Sequence, residues 1–255
     1  MQDKEKLKKL VDIFAELLKI KGNEWLIDAV LEKIKKVSTL EEIAKHSVIK
    51  EIHEYCVEEI IKKQAEDFYK DFLLDGIKQQ LIMDFIKMEH QRRRDDFESF
   101  CLSAYQQIEN ITNFLHNIIL EQWDSNKDMI AFTYFDKVEK EEKKLKVRAI
   151  IFNNQEKENW DAKNKFKSVV YFFYFTKRGF KSLISFNEVI KIFIELYQIR
   201  NSNHRGVPPY QNQQEIRDRI FNNQSKYYLK FYGFLEDLVR VITENLKSVS
   251  NQQQE

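Results

Sequence analysis

Apolar residues recur every three or four positions along most of this chain, which is the spacing of amphipathic helices. Ser38 followed by Glu41 predicts a capping box at the start of one such helix. We therefore predict an N-terminal helical region over residues 1–76, with a role in packing, docking or regulation. Its two clearest stripes are Leu10, Ile13, Phe14, Leu17 and Leu18, and then Leu26, Val30 and Ile34.

A second helical region is predicted over residues 77–250. Its most regular stripe lies in 97–120, and two further stripes lie in 186–200 and 226–246. Such faces must bury against one another, which predicts a helical bundle. The first stripe consists of Phe97, Phe100, Cys101, Ala104, Ile108, Ile111, Leu115, Ile118 and Ile119.

The pattern changes between residues 129 and 176. The runs MIAFTYF (129–135), LKVRAIIF (145–152) and SVVYFFYFT (168–176) are rich in β-branched and aromatic residues, and the charged connection DKVEKEEKK joins the first two. We predict three antiparallel strands here. The expected fold class is mainly α, a helical bundle with a small antiparallel β insertion (about 129–176) and an N-terminal helical extension.

Composition narrows the function only slightly. The 42 basic and 41 acidic residues give a net charge of +1, so any binding to nucleic acid must come from a local patch. The N-terminus is charged and no 18-residue uncharged segment occurs, so we expect no membrane partner and a cytoplasmic location.

Metal and cofactor sites are not predicted. Cys56 and Cys101 lack CxxC spacing, and His46 and His53 lie near Cys56 without a fourth ligand. His116 is interpreted as an ordinary histidine on a helix surface. We expect neither a metal nor a cofactor.

Three consecutive arginines, Arg92, Arg93 and Arg94, precede the stripe of 97–120. Asp95 and Asp96 follow them directly, so the run can be a solvated helix face. Arginine forks also hold phosphate groups, which makes the three arginines candidate substrate contacts.

The stripe of 186–200 ends in an unusual way. Residues 186–210 read FNEVIKIFIELYQIRNSNHRGVPPY, and in this segment Arg200 and His204 extend the apolar face. One interpretation is a helix end, where a cation interacts with the helix dipole and the Gly-Val-Pro-Pro sequence stops the helix. The other is a binding site, because arginine, asparagine and histidine together suit phosphate and base contacts.

The sequence Arg200-Asn201-Ser202-Asn203-His204 resembles the signature of the HEPN superfamily, in which an Arg, commonly followed by a polar residue, precedes a His at the end of a bundle helix. The resemblance covers roughly residues 80–247. Three residues separate Arg and His here, and the family pattern usually has a longer gap. The superfamily includes active RNases and inactive nucleotide-binding or adaptor members.

The resemblance implies metal-independent cleavage of single-stranded RNA by attack of the ribose 2′-hydroxyl on the adjacent phosphate. His204 would transfer protons, Arg200 would stabilise the charge on phosphorus, and Asn201 would orient the pair. Asn203 and Arg205, with the three arginines 92–94, would contact the substrate.

HEPN sites are typically composite, with two motifs facing each other across a dimer. This chain has one motif, so the resemblance implies a homodimer that acts on RNA in a prokaryotic defence or toxin system. An antitoxin or a defence complex is the further expected partner. The alternative is a catalytically inactive HEPN-like binding or regulatory module that docks on a larger complex.

Overall fold

The computed structural model describes residues 2–153, 159–175, 182–204 and 211–252. Within these ranges the protein is mainly helical, with a small sheet of two antiparallel strands. The predicted fold class, mainly α with a small antiparallel β insertion, is confirmed. The chain divides into two compact units between Ile60 and Ile61.

The first unit is built from short amphipathic helices. They are α1 (Gln2–Leu18), α2 (Trp25–Val37), α3 (Leu40–Ala44) and the first part of α4 (Ser47–Phe68). None of the side chains described between residues 4 and 60 is buried, and the predicted stripe residues Leu10 and Ile13 are 66% and 60% exposed. The apolar faces of these helices are therefore open in this unit.

The capping box lies one residue later than predicted. Thr39 Oγ1 accepts a hydrogen bond from the Glu42 amide at 3.2 Å, and Glu42 Oε2 accepts one from the Thr39 amide at 3.0 Å. The predicted pair was Ser38 and Glu41. Both registers offer a hydroxyl followed by a glutamate three residues later, so the sequence alone did not select between them.

The second unit contains the longer helices and the sheet. In chain order the elements are the rest of α4, α5 (Asp75–Arg93), α6 (Phe97–Glu121), α7 (Trp123–Asn126), β1 (Ile130–Asp136), β2 (Glu141–Lys146), α8 (Val147–Phe152), α9 (Ala162–Val169), a π-helical segment (Val170–Phe175), α10 (Leu183–His204), α11 (Gln211–Phe221) and α12 (Gln224–Gln252).

The predicted strands are only partly correct. β1 matches the first run, but β2 is formed by the charged segment predicted as a connection, with Asp136 opposite Glu141 and Thr133 opposite Lys144. Most of the run 145–152 is helix α8, and 168–175 continues α9 into the π-helical segment. The sheet therefore ends at Lys146, well short of residue 176.

Burial on several sides explains the error in the strand assignment. Val147, Ile150 and Ile151 are buried in α8, and their spacing also fits a single helical turn. Short apolar runs are ambiguous between strand and buried helix, because both bury them almost completely. For 168–175 the helix is already established upstream, where Asp161 Oδ1 caps α9 by accepting from the Asn164 amide at 2.7 Å.

Helix α6 forms the centre of the second unit. It packs against α5, α9, α10 and α12. Its predicted stripe is buried except for Ile118, which is 37% exposed. The left-handed residue Asp95 (φ 55°) turns the chain between α5 and α6, and Asp96 caps α6 by accepting from the Ser99 amide at 3.1 Å.

Candidate active site

Arg200 lies on the apolar face of α10, as the sequence indicated. Phe193 and Leu196 are buried on this helix, Tyr197 is half-buried, and Arg200 is half-buried one turn nearer the end of the helix. The helix continues through residue 204, four residues beyond the predicted end. The arginine is therefore held at the edge of the core, with its charged end able to meet a ligand.

The guanidinium of Arg200 lies over an aromatic ring of α6. Its Cζ is 5.6 Å from the centroid of Tyr105, and its Nη1 donates a hydrogen bond to Asn201 Oδ1 at 3.1 Å. A cation over a tyrosine face is attracted by the ring quadrupole. These two contacts define one orientation for the guanidinium and bring Asn201, a predicted site residue, into the same site.

Tyr105 is buried, and its hydroxyl donates to Glu109 Oε1 at 3.1 Å. Burial raises the pKa of Tyr105 well above its usual value, the neighbouring carboxylate of Glu109 raises it further, and the Arg200 guanidinium opposes this rise. The phenol therefore remains a hydrogen-bond donor at neutral pH. Arg200, Asn201, Tyr105 and Glu109 together form a polar cluster at the end of α10.

Sequence reasoning missed Tyr105 and Glu109. Tyr105 is four residues after Cys101 and three before Ile108, so it belongs to the stripe of α6, and Glu109 follows it by one helical turn. A tyrosine within an apolar stripe, one turn before a carboxylate, was the available signal. Which helix would cover it depended on tertiary packing.

The remaining motif residues are placed only by their backbone. Residues Ser202, Asn203 and His204 belong to α10, but their side chains, like the whole of Arg205, lie outside the described part of the structure. The backbone of His204 follows that of Arg200 by four positions on a continuous helix, about 6 Å along its axis. Their side-chain convergence stays a prediction.

The arginines 92–94 lie apart from this cluster in the contacts that the structure describes. Arg92 forms a two-pronged ion pair with the buried carboxylate of Glu89, with Nη2 to Oε2 at 2.7 Å and Nε to Oε1 at 3.0 Å. Arg93 and Arg94 are exposed. The three precede α6, whereas Tyr105 is about 12 Å along that helix from Phe97.

A buried carboxylate fixes the motif helix to its neighbours. Glu195 of α10 is 3% exposed, and it accepts from Arg219 Nη2 of α11 at 2.8 Å and from Lys230 Nζ of α12. One buried negative charge therefore has two cationic partners from two different helices. This network holds the helix that carries Arg200.

His116 is buried, so its interpretation as a surface histidine was wrong. It is 3% exposed, its ring lies 4.4 Å from that of Trp160, and its Nδ1 has no hydrogen-bond partner among the described residues. Burial lowers the pKa of His116 to about 4, and the positive charge of Lys165 contributes. His116 lies outside the predicted apolar stripe of α6, so the sequence pattern gave no sign of its burial. The ring that covers it, Trp160, comes from a segment with no helical stripe.

We expect His116 to make the protein sensitive to acid. The folded state keeps His116 neutral while the unfolded chain binds a proton below its ordinary pKa of 6.5, so stability falls as pH decreases from 6.5 to about 4. The loss attributable to this residue is about 3 kcal/mol, from the conversion of the pKa shift. Urea unfolding of wild type and His116→Leu across this range measures this loss. As the pH decreases, the free energy of unfolding of wild type should fall relative to that of His116→Leu.

The matched control is His53→Leu, which makes the same exchange at an exposed position. A difference between wild type and His116→Leu that stays constant from pH 7 to pH 4 would contradict the assignment. Constant destabilisation at every pH would mean only that the substitution disturbs packing.

A buried lysine lies near the sheet. Lys167 donates to the Ile151 carbonyl oxygen at 3.0 Å and to Asn153 Oδ1 at 2.8 Å, and burial lowers its pKa to about 8. These two bonds connect α9 to the end of α8, where Asn153 adopts a left-handed conformation (φ 52°). We interpret Lys167 as a structural cation.

The described residues contain no cluster of three or more His, Cys, Asp or Glu side chains arranged to hold a metal ion. In the same residues, no helix has both the length and the apolar composition needed to cross a bilayer. Comparison with protein-family models, with curated protein sequences and with solved structures gives no match.

Proposed function

We propose that this protein is a metal-independent endoribonuclease that cleaves single-stranded RNA at a dimeric Arg/His site. The observation that carries the proposal is the position of Arg200: a half-buried guanidinium at the end of an apolar stripe, oriented by Tyr105 and Asn201, with His204 one helical turn further along the same helix. The resemblance to the HEPN superfamily supplies the reaction. Its setting would be a cytoplasmic defence or toxin system.

In the proposed reaction the ribose 2′-oxygen forms a bond to the adjacent phosphorus while the bond from phosphorus to the 5′-oxygen breaks. The proton of the 2′-hydroxyl leaves to a base, and a proton reaches the departing 5′-oxygen. The products are a 2′,3′-cyclic phosphate and a 5′-hydroxyl. An imidazole near neutrality suits both transfers, which assigns them to His204.

Arg200 would stabilise the additional negative charge that develops on the phosphorane oxygens. Its planar, permanently charged fork matches phosphate geometry, and Asn201 engages one of its five N–H donors in the described contacts. Preorganisation matters here, since a guanidinium already held over Tyr105 does not need to reorient during the reaction. Tyr105 and Glu109 act as positioning residues for this group.

A second protomer would complete the site. In this proposal the single Arg/His motif of each chain would face its symmetry mate across the dimer and enclose the phosphate. We retain Asn203, Arg205, Arg93 and Arg94 as proposed substrate contacts. Glu89 already fills the fork of Arg92, so we leave Arg92 out of this set.

The chemistry is tested by incubating the purified protein with single-stranded RNA in EDTA and identifying the new ends. We expect cleavage to persist with the chelator present, to leave 2′,3′-cyclic phosphate and 5′-hydroxyl ends, and to fail when the ribose at the scissile position lacks its 2′-hydroxyl. The same oligonucleotide with a single deoxyribose elsewhere is the control. Activity that disappears on chelation, or that persists on DNA, would refute the mechanism.

A second candidate function is a catalytically silent binding or regulatory module that docks on a larger complex. The observation that favours it is the first unit, whose described side chains from residue 4 to 60 are all at least partly exposed, including many apolar ones. Expression in bacteria separates the two functions. An active nuclease slows growth unless His204 is changed, whereas a binding module allows the same growth with either sequence.

A further inference from the structure

A cavity of about 690 Å³ lies in the second unit, between the last turns of α4, the end of α5 and the start of α12. This size is within the range of small-molecule sites in proteins. Its walls combine aromatic rings with charged groups. It contains none of Tyr105, Glu109, Arg200 or Asn201, so it is distinct from the polar cluster at the end of α10.

Aromatic rings form part of the wall. Phe68 and Tyr232 lie edge to face with centroids 6.1 Å apart, and Tyr228 packs against Phe100 at 4.7 Å and Phe97 at 4.9 Å. Rings held in this way by the core present fixed π surfaces. Such surfaces attract cations and also cover alkyl chains.

The charged groups of the cavity are mostly negative. They are the carboxylates of Asp67, Glu89 and Asp95 and the guanidinium of Arg92, which leaves two more negative than positive charges. Because Arg92 is tied to Glu89 by two prongs, its charge is already matched. Asp67 and Asp95 are exposed and form no ion pair among the described residues.

The carboxylates of the cavity also affect the pKa values of two tyrosines in its wall. Burial is the main cause that raises the pKa of Tyr232, and Glu89 adds to it; for Tyr228 burial again dominates and Asp95 adds to it. Arg92 only partly opposes these effects. An incoming phosphate would meet the same negative potential, whereas a cation would be attracted.

We propose that this cavity binds an organic ammonium ion, with its alkyl chain on the rings of Phe68, Tyr228 and Tyr232 and its charge near Asp67 and Asp95. The ammonium group can belong to a free polyamine or to a lysine side chain. Both share the chemistry of a protonated amine on a flexible methylene chain. A ligand of this kind satisfies the two unmatched carboxylates and covers the aromatic wall.

Calorimetric titration of the full chain at low salt tests the proposal with three probes: spermidine, N-acetyl-lysine methylamide and the dianion glutarate. We expect saturable binding of at least one amine that weakens as salt is added. Strong spermidine binding with a weak lysine analogue identifies a free polyamine as the source. Equal binding of the lysine analogue identifies a side chain presented by another protein.

Variants of the cavity locate the binding. Asp67→Asn and Asp95→Asn should each raise the Kd about two- to fivefold, the effect of removing one exposed charge partner. Tyr232→Leu should raise it about two- to tenfold through loss of the cation–π contact. Circular dichroism melting of each variant establishes that it is folded before titration.

One control separates the cavity from general electrostatics. Glu121→Gln removes one exposed negative charge at the far end of α6 and should leave the Kd unchanged. The proposal is overturned by amine binding that survives Asp67→Asn/Asp95→Asn unchanged, by preferential binding of glutarate, or by no saturable binding of either amine.

Discussion

His204→Ala and Arg200→Ala should each slow RNA cleavage by about 10²–10⁴-fold, the usual loss in rate when a positioned acid/base or an oxyanion-type donor is removed. The reason differs for the two residues. In the proposed mechanism, His204→Ala removes the imidazole that moves the protons, and Arg200→Ala removes the fixed positive charge that stabilises the phosphorane. Single-turnover rates with saturating protein measure both effects on the chemical step.

Folding must be shown to be intact for this loss to be informative. Arg200 is half-buried and its described contacts are one ring and one amide, so Arg200→Ala should lower the free energy of unfolding by only about 1 kcal/mol. Lys191→Ala, an exposed change on the same helix, is the matched control and should keep full activity. Full activity in Arg200→Ala or His204→Ala would exclude the assigned site.

Mixing the two inactive variants tests the composite site. If Arg200 and His204 of both protomers line one cleft, a mixed dimer of Arg200→Ala and His204→Ala protomers retains one copy of each residue. Part of the activity should then return after subunit exchange. A mixture that remains inactive, in a sample shown to contain mixed dimers, would mean that each chain uses its own pair alone.

The long helices could be predicted because their periodicity is redundant. The stripe of α6 repeats over seven turns, so a single exposed position such as Ile118 does not change the assignment. The short runs 145–152 and 168–176 carry no such redundancy. Their residues are buried from more than one side, and tertiary contacts decided between helix and strand.

The candidate site was predictable where it is local and unpredictable where it is tertiary. The spacing of Arg200 from Phe193 and Tyr197 already placed it on the apolar face of α10. The ring of Tyr105, which lies beneath the guanidinium, is 95 positions earlier in the chain and belongs to α6. A single sequence does not show that this face of α6 packs against the apolar face of α10. The Arg92–Glu89 ion pair is local, yet charge counting grouped Arg92 with Arg93 and Arg94 instead.

Removing both cationic partners of Glu195 should lower the free energy of unfolding by about 3–5 kcal/mol, as expected for a buried charge left uncompensated. Glu195 is 3% exposed, whereas Arg219 and Lys230 reach the surface. In Arg219→Met/Lys230→Met the apolar stems are kept while both positive charges are lost. Urea denaturation followed by circular dichroism measures the change.

A third substitution distinguishes lost attraction from a stranded charge. Adding Glu195→Gln to Arg219→Met/Lys230→Met removes the buried negative charge, and we expect most of the stability to return even though no ion pair is left. Arg240→Met is the control for surface pairs: Arg240 is exposed, bridges Asp237 and Glu244, and should contribute less than about 1 kcal/mol. If the double variant stays within that margin of wild type, Glu195 does not fix α10 to α11 and α12 as argued. The position of α10 would then depend on the aromatic packing of Phe193 and Tyr197 against neighbouring helices.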